Sequence, residues 1–314
     1  MILCCGEALI DMIPTPTRVG GTGFVPHSGG AIFNTAIALG RLGVKTGFLT
    51  GLSTDIFGTQ LEADLERSNV DASLAIRSDL PTTLAFVSLK NGHATYTFYD
   101  ENTAGRSLTP DQLPALPADV STLYFGGISL ISEPCADFYA ALAEAESGRR
   151  TIVVDPNIRP GFIKNAARYR ARLERMLAVA DIVKVSDEDL DWIIDSDAPM
   201  AKKVMQLQTF GPRMVVVTRG SAGASAYLSG HEEVRVAAPK ATVVDTVGAG
   251  DTFNAGMIAA LSDLSVIQKE NLSTLSEETA SQALRKGAAV AAVTVSRAGA
   301  NPPWAHELES ALQS

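Results

Sequence analysis

The chain has 314 residues, 46% of them hydrophobic and 19% charged, which excludes general disorder and suffices for one large α/β domain or two smaller ones. Lys and Arg number 26 against 35 Asp and Glu, a net charge of −9. The chain therefore lacks the electrostatic footprint of a nucleic-acid or anionic-membrane binder, and no apolar run approaches the ~20 residues of a membrane span.

The opening segment, MILCCGEALIDMIP, has no basic flank, and Glu7 and Asp11 interrupt its apolar run, so it reads as a strand and not as a signal peptide. Cys4 and Cys5 face opposite sides of such a strand. With Cys135 they make a sparse, odd set of buried thiols, which fits a reducing cytoplasm. Further buried strands are expected at 2–5, 48–51, 123–126, 151–155, 182–185 and 214–218, all continuously apolar. Helical periods lie between them, at 32–43, 54–68, 134–147, 166–179, 198–208, 251–261 and 277–295. This alternation predicts an α/β fold with a mostly parallel central sheet covered by helices on both sides.

Two segments break the rhythm. Residues 11–28 are rich in Pro, Gly and Thr, and residues 82–100 read as strand, Asn91-Gly92 turn, strand. Together they predict a small β lid on a single domain spanning 1–314. The lid's strand edges offer a surface for pairing into a homodimer. A second hairpin is expected at 224–237, turning at Ser229-Gly230.

Neither the G-x-x-x-x-G-K-[ST] loop nor G-x-G-x-x-G is present, which disfavours a nicotinamide dehydrogenase. The segment Gly248-Ala249-Gly250-Asp251 instead follows an apolar run at 242–247, read as a strand, and precedes a clean helical face. A strand-to-helix turn of this kind is an anion site, with glycines that let a phosphate approach the backbone. Asp251 at its mouth is either a proton acceptor for an attacking hydroxyl or only a helix cap. Gly29-Gly30 opens the helix carrying Asn34. Asp11 and Asn34 are either ligands for sugar hydroxyls or a loop carboxylate and a capped helix. Asp155-Pro156-Asn157-Ile158-Arg159-Pro160 follows a buried strand, the edge where open α/β sheets bind ligands, and Arg159 offers a planar fork for oxyanions.

These segments resemble, in order, those of the ribokinase-like (PfkB) carbohydrate kinases, and within them the bacterial fructokinases. They are GEALID at 6–11, GGAIFNTA at 29–36, GLSTDIFG at 51–58, DPNIR at 155–159, KVSDED at 184–189, TRGSAG at 218–223, DTVGAGD at 245–251 and Gly299-Ala300. The resemblance implies an ATP-dependent kinase acting on the 6-hydroxyl of fructose, with Mg²⁺ and K⁺. It implies Asp251 as catalytic base and Gly248, Ala249 and Gly250 as anion hole. Asp11, Gly29, Gly30, Asn34, Phe98, Asn157 and Arg159 match the sugar site. Lys184, Ser186, Asp189, Thr218, Gly220, Gly223, Ala288 and Ala292 match the nucleotide site, and Asp245, Thr246 and Gly299 a monovalent-cation loop. Two departures stand out: Asp189 replaces the family's Glu, and Val247 replaces a Thr. The alternatives are a kinase for ribose or for a sugar acid such as 2-keto-3-deoxygluconate, or a non-catalytic sugar sensor. Asp100 in the lid would repel a carboxylate if it faced the sugar.

Overall fold

A computed structural model describes residues 1–90 and 93–308. Elements are numbered in chain order. Nine strands form the main sheet, in the spatial order β15 (Val234–Val236), β14 (Ala224–Leu228), β13 (Met214–Thr218), β12 (Ile182–Ser186), β11 (Thr151–Asp155), β10 (Thr122–Gly126), β1 (Ile2–Cys5), β4 (Thr46–Leu49) and β6 (Val70–Asp71). Pairing is parallel from β6 through β13 and antiparallel for β13–β14 and β14–β15. The expected Ser229-Gly230 hairpin joins β14 to β15.

β1, β4, β10 and β11 are buried along their whole length, because helices cover both faces. Cys4 lies in the core with α1 (Ala31–Arg41), α2 (Ile56–Arg67), α7 (Ala249–Asp263) and α8 (Glu277–Val295). Cys5, one residue on, lies in the opposite core with α3 (Cys135–Glu146), α4 (Ala166–Val179), α5 (Asp187–Ile193) and α6 (Met200–Gln208). All three cysteines are free and buried. Among the described residues no helix is long and apolar enough to cross a membrane.

The chain runs from β1 outward to β4 and β6, then returns to β10 on the other side of β1. The carboxyl ends of β1 and β10 therefore form the switch point at which a cleft opens in such sheets. Above it lies a second sheet of four strands, β3 (Thr22–Gly29), β2 (Leu9–Pro16), β8 (Leu84–Lys90) and β9 (His93–Tyr99). It is assembled from the two segments that broke the sequence rhythm. The Asn91-Gly92 turn lies outside the described residues. A pair of short strands, β5 (Gly51–Ser53) and β7 (Ile76–Ser78), forms a third sheet.

Two strand expectations need correction. The apolar run at 48–51 is not one strand: β4 ends at Leu49, and Gly51 begins β5 in another sheet. A side chain at Gly51 would overlap the Ala104 carbonyl, so the chain bends here toward that backbone. Residues 242–247 form no strand either. The N–H groups of Val244 and Asp245 both donate to the Val295 carbonyl at the end of α8, and Val243 and Val244 are exposed. β-branched composition does not make a strand where no neighbouring strand is in reach.

α1 and α7 carry the residues of greatest interest, and α1 is seated by a glycine. A Cβ at Gly40 would overlap the Ser68 carbonyl oxygen and lie 2.8 Å from Val70 Cγ2. Gly40→Ala should lower the urea midpoint of unfolding. The overlap with backbone costs about 1–3 kcal/mol or more and outweighs the ~1 kcal/mol of helix propensity that alanine returns. Gly148→Ala, at a site with open surroundings, should leave the midpoint nearly unchanged.

Candidate active site

The two glycine-initiated helices point at one cavity. The N-cap of α1 is Gly30, with φ of 110°, and that of α7 is Gly248, with φ of 76°. Neither N-cap residue has a side chain to cap its helix. Ala249 N donates to the Thr246 carbonyl at 3.3 Å, and the N–H groups that follow it in the first turn of α7 are the ones open to an incoming anion. The cavity between them, about 280 Å³, is lined by Asp11, Gly30, Asn34, Phe98, Asn157 and Arg159 together with Thr246 through Asp251.

Asp251 sits in the first turn of α7 but does not cap it. Its Oδ2 accepts a 2.9 Å hydrogen bond from Asn34 Nδ2, and Thr35 Oγ1 donates to its carbonyl at 3.1 Å. The side chain is only 9% exposed. Burial raises its pKa to about 7, against the hydrogen bond from Asn34 and the charge of Lys184, which lower it. A carboxylate poised near neutrality beside uncapped helix N–H groups has the properties of a general base at an anion site. The capping alternative loses its geometric basis.

Asp11, on β2, is also pushed up, to about 6, by burial. Gly29 is present for its sake, since a Cβ there would overlap Asp11 Oδ2. Phe98 on β9 packs edge to face on Phe162, centroids 4.7 Å apart. The Arg159 side chain turns back to the carbonyls of Asn157 and Ile158, at 3.3 and 3.1 Å.

Behind the cavity lies a buried polar network. Asp155 Oδ2 accepts from Lys184 Nζ at 3.0 Å and from Asn254 Nδ2 at 2.6 Å, and Asn254 also donates to Tyr124 OH at 3.0 Å. Lys184 Nζ lies 3.5 Å from where a Cβ on Gly250 would be, so the missing side chain opens the turn to this ammonium. Ser186 and Asp189 form a capping box on α5, and Asp189 Oδ1 accepts from Ile158 N at 2.9 Å. Asp189, raised in pKa by burial, thereby braces the loop that carries Arg159.

Thr218, Gly220, Gly223, Ala288 and Ala292 do not line this cavity. Thr218 pairs in register with Ser186 one strand further along the edge, and the two glycines flank the short turn after β13. Ala288 and Ala292 lie on α8, which packs on α7, β14 and β15. Asp245 ties together two segments: its Oδ1 accepts from Val247 N at 3.0 Å and its Oδ2 from Gly299 N at 2.9 Å.

Two further residues belong here. Glu7, 9% exposed, lies at the switch point and lines the cavity. It accepts from Ala31 N at 3.0 Å and Ser129 N at 3.2 Å, which fixes the start of α1 and the turn after β10. Its signal is a carboxylate two residues after a fully apolar strand. Asn254 lies one turn beyond Asp251 on the same helix, within a face that reads as core. The expectation for Asp100 is corrected: its carboxylate is held by Arg106 at 2.8 Å and Ser132 at 3.1 Å and does not line the cavity, so it places no charge against the acceptor.

Comparison with known proteins settles the family: the model for pfkB family carbohydrate kinases matches residues 1–307. The chain belongs to the PfkB family of carbohydrate kinases. A fructokinase of Rhizobium leguminosarum bv. trifolii is 52% identical over 290 residues, covering 91% of this chain and 86% of that protein. The crystal structure of a fructokinase with bound ATP from Xylella fastidiosa superposes with a TM-score of 0.85 at 28% identity, covering 99% and 98% of the two chains. That of a Vibrio cholerae O395 fructokinase in a fructose-, ADP- and calcium-bound form gives 0.84 at 25% identity, covering 99% and 98%. The chain is therefore an ATP-dependent carbohydrate kinase with the ribokinase-like fold.

Asp251→Asn keeps the size of the side chain and removes the proton acceptor. If Asp251 is the base it acts deprotonated, and kcat/KM of the unsubstituted kinase should fall as pH drops through about 7. In Asp251→Asn, kcat should fall by roughly 10²–10⁴ while ATP binding persists. Because the pKa is raised on folding from 3.8 to about 7, stability falls as pH rises between about 4 and 7, and the cost of the buried charge is complete above 7. The variant should therefore melt no lower than the parent at pH 8. Turnover within about tenfold of the parent, with the fold intact, would place the chemistry elsewhere.

Proposed function

We propose that the kinase transfers the γ-phosphoryl group of ATP to the 6-hydroxyl of D-fructose, with Asp251 as base and the Gly248–Gly250 turn as the anion hole. The observation that carries this reading is the buried, Asn34-bonded carboxylate of Asp251 at the uncapped N-terminus of α7. Fructose as acceptor is supported by the 52% identical Rhizobium fructokinase and by the fructose-bound Vibrio neighbour. Asp11 and Asn34 suit sugar hydroxyls, Phe98 an apolar sugar face, and Arg159 an oxyanion. The nucleotide is placed along the sheet edge by Lys184, Ser186, Asp189, Thr218, Gly220 and Gly223, with Ala288 and Ala292 near the base.

The four-stranded sheet acts as a lid over the acceptor, supported by Asp11 and Phe98 both lying on it and lining the cavity. Excluding water directs the phosphoryl group to the sugar and not to hydrolysis. The same sheet's edge strands, β3 and β9, offer pairing to a second copy. Three free buried cysteines agree with a cytoplasmic setting.

Among the described residues no cluster of three or more His, Cys, Asp and Glu side chains is arranged for a metal. Mg²⁺ would arrive on the phosphates of ATP, where it would neutralise their charge. Asp245, Thr246 and Gly299 would hold K⁺. The fit rests on Asp245, which draws residues 245–247 and Gly299 into one oxygen-bearing turn beside the GAGD segment.

A panel of sugars assayed for ATP consumption tests the substrate. Fructose should exceed ribose, glucose and 2-keto-3-deoxygluconate in kcat/KM, and any of these clearly exceeding fructose would overturn the assignment. Run in potassium and again in tetramethylammonium, the same assay should show faster turnover in potassium. Equal rates would remove the cation from the reading.

A further inference from the structure

A second cavity, about 770 Å³, adjoins the acceptor cavity. The two share four lining residues: Tyr96, Phe98, Ile128 and Phe162. Phe98 comes from β9 of the small sheet, and Phe162 from the short helical turn after the Asp155–Arg159 loop. Their rings meet edge to face at 76°, so the wall between the cavities is an aromatic pair contributed half by the lid sheet and half by the body.

The chemistry beyond the wall is neutral. Arg106 is paired with Asp100 at 2.8 Å. Arg172 is paired with Glu133 at 2.5 Å and with Asp137 at 2.8 Å, and Lys164 lies 3.9 Å from Glu101. With each cation matched by a carboxylate, the chamber has no excess charge to attract a phosphate or a sugar acid. It has instead aromatic faces (Tyr96, Phe98, Tyr99, Phe162) alongside hydroxyl and amide groups (Thr82, Ser132, Asn165). Flat apolar surfaces with hydrogen-bonding groups between them suit a neutral sugar ring.

We propose that Phe98 and Phe162 form a partition that confines the kinase to single-ring acceptors, and that the larger cavity behind it has the shape and chemistry to take a neutral sugar ring joined to the acceptor once the partition is opened. Phe162 is thus a specificity-determining residue. The inference rests on the fructose kinase reading above, because it takes the smaller cavity as the acceptor site. Removing the Phe162 ring joins the cavities. A fructosyl unit that keeps its 6-hydroxyl toward Asp251 and bears a glucosyl group on its anomeric carbon then has space for the second ring.

Sucrose is such a molecule and serves as the probe. Phosphorylation of fructose by the unsubstituted kinase, measured in the same assay, tests the underlying reading independently. Under the proposal, Phe162→Ala raises the ratio of kcat/KM for sucrose to that for fructose by about tenfold or more, the scale on which pocket shape discriminates. It also raises ATP hydrolysis in the absence of sugar, because the wall no longer excludes water. Phe162→Leu, which keeps bulk, should hold the ratio near that of the parent. If Phe162→Ala folds with an unchanged melting temperature and loses fructose activity without any rise in the ratio, the partition is only structural and the proposal fails. If Phe162→Ala does not fold, Phe98→Ala opens the same wall from the other side and must raise the ratio for the proposal to stand.

Discussion

One hydrogen bond, from Asn34 to Asp251, joins residues 217 positions apart in sequence and holds two helix starts against one cavity. It matters because Asp251 is buried at the place where charge is least well solvated. Without a donor the carboxylate would be driven further toward its neutral form. With the donor its pKa stays near 7, where either protonation state is accessible at neutral pH. Thr35, the next residue, binds the Asp251 carbonyl, so α1 fixes the backbone of the first turn of α7 as well as its side chain.

The support extends backward through the sheet. Asp155 at the end of β11 gathers Lys184 from β12 and Asn254 from α7, and Asn254 reaches Tyr124 on β10. Three neighbouring strands and the helix that carries Asp251 are thus cross-linked by side chains at most 4% exposed. In a low-dielectric interior such a network holds its members in place because breaking any bond strands a polar group. Asn254 Oδ1 alone has no partner within it. On the other side, Glu7 performs the corresponding service for the start of α1 and the turn after β10.

The large sheet was legible because its strands are buried on both faces and read as apolar runs. The helices were legible because their periods are long. What escaped was set by tertiary context. The break at Thr50 and the irregular course of 242–247 depend on which backbone lies alongside, not on the local β-branched composition. Within the site, Asp251, Asn34 and Asp11 could be picked out because glycines surround them in strand-to-helix turns. Asn254 could not, since a buried amide on an apolar helix face has no pattern of its own. Asp100 shows the converse failure. Its position at the end of the small sheet was readable, but its direction, toward Arg106 and Ser132, follows from neighbours that only the fold supplies.

On the proposed reading a site rich in carboxylates receives a polyanion, and the arrangement makes chemical use of the conflict. A phosphoryl group brought to the Gly248–Gly250 turn adds negative charge beside Asp251, and a like charge favours the protonated carboxyl. On that reading Asp251 becomes a stronger base when the nucleotide is in place, which is when a hydroxyl proton must be taken. Repulsion alone would oppose nucleotide binding. Lys184, set behind Gly250, and the uncapped N–H groups of α7 oppose it with positive charge aimed at the phosphate. Lys184 also acts on Asp251, lowering its pKa, so the position of that ammonium balances phosphate affinity against base strength. Asp155 holds it there by a 3.0 Å ion pair, which makes a buried carboxylate outside the cavity a determinant of the chemistry within it.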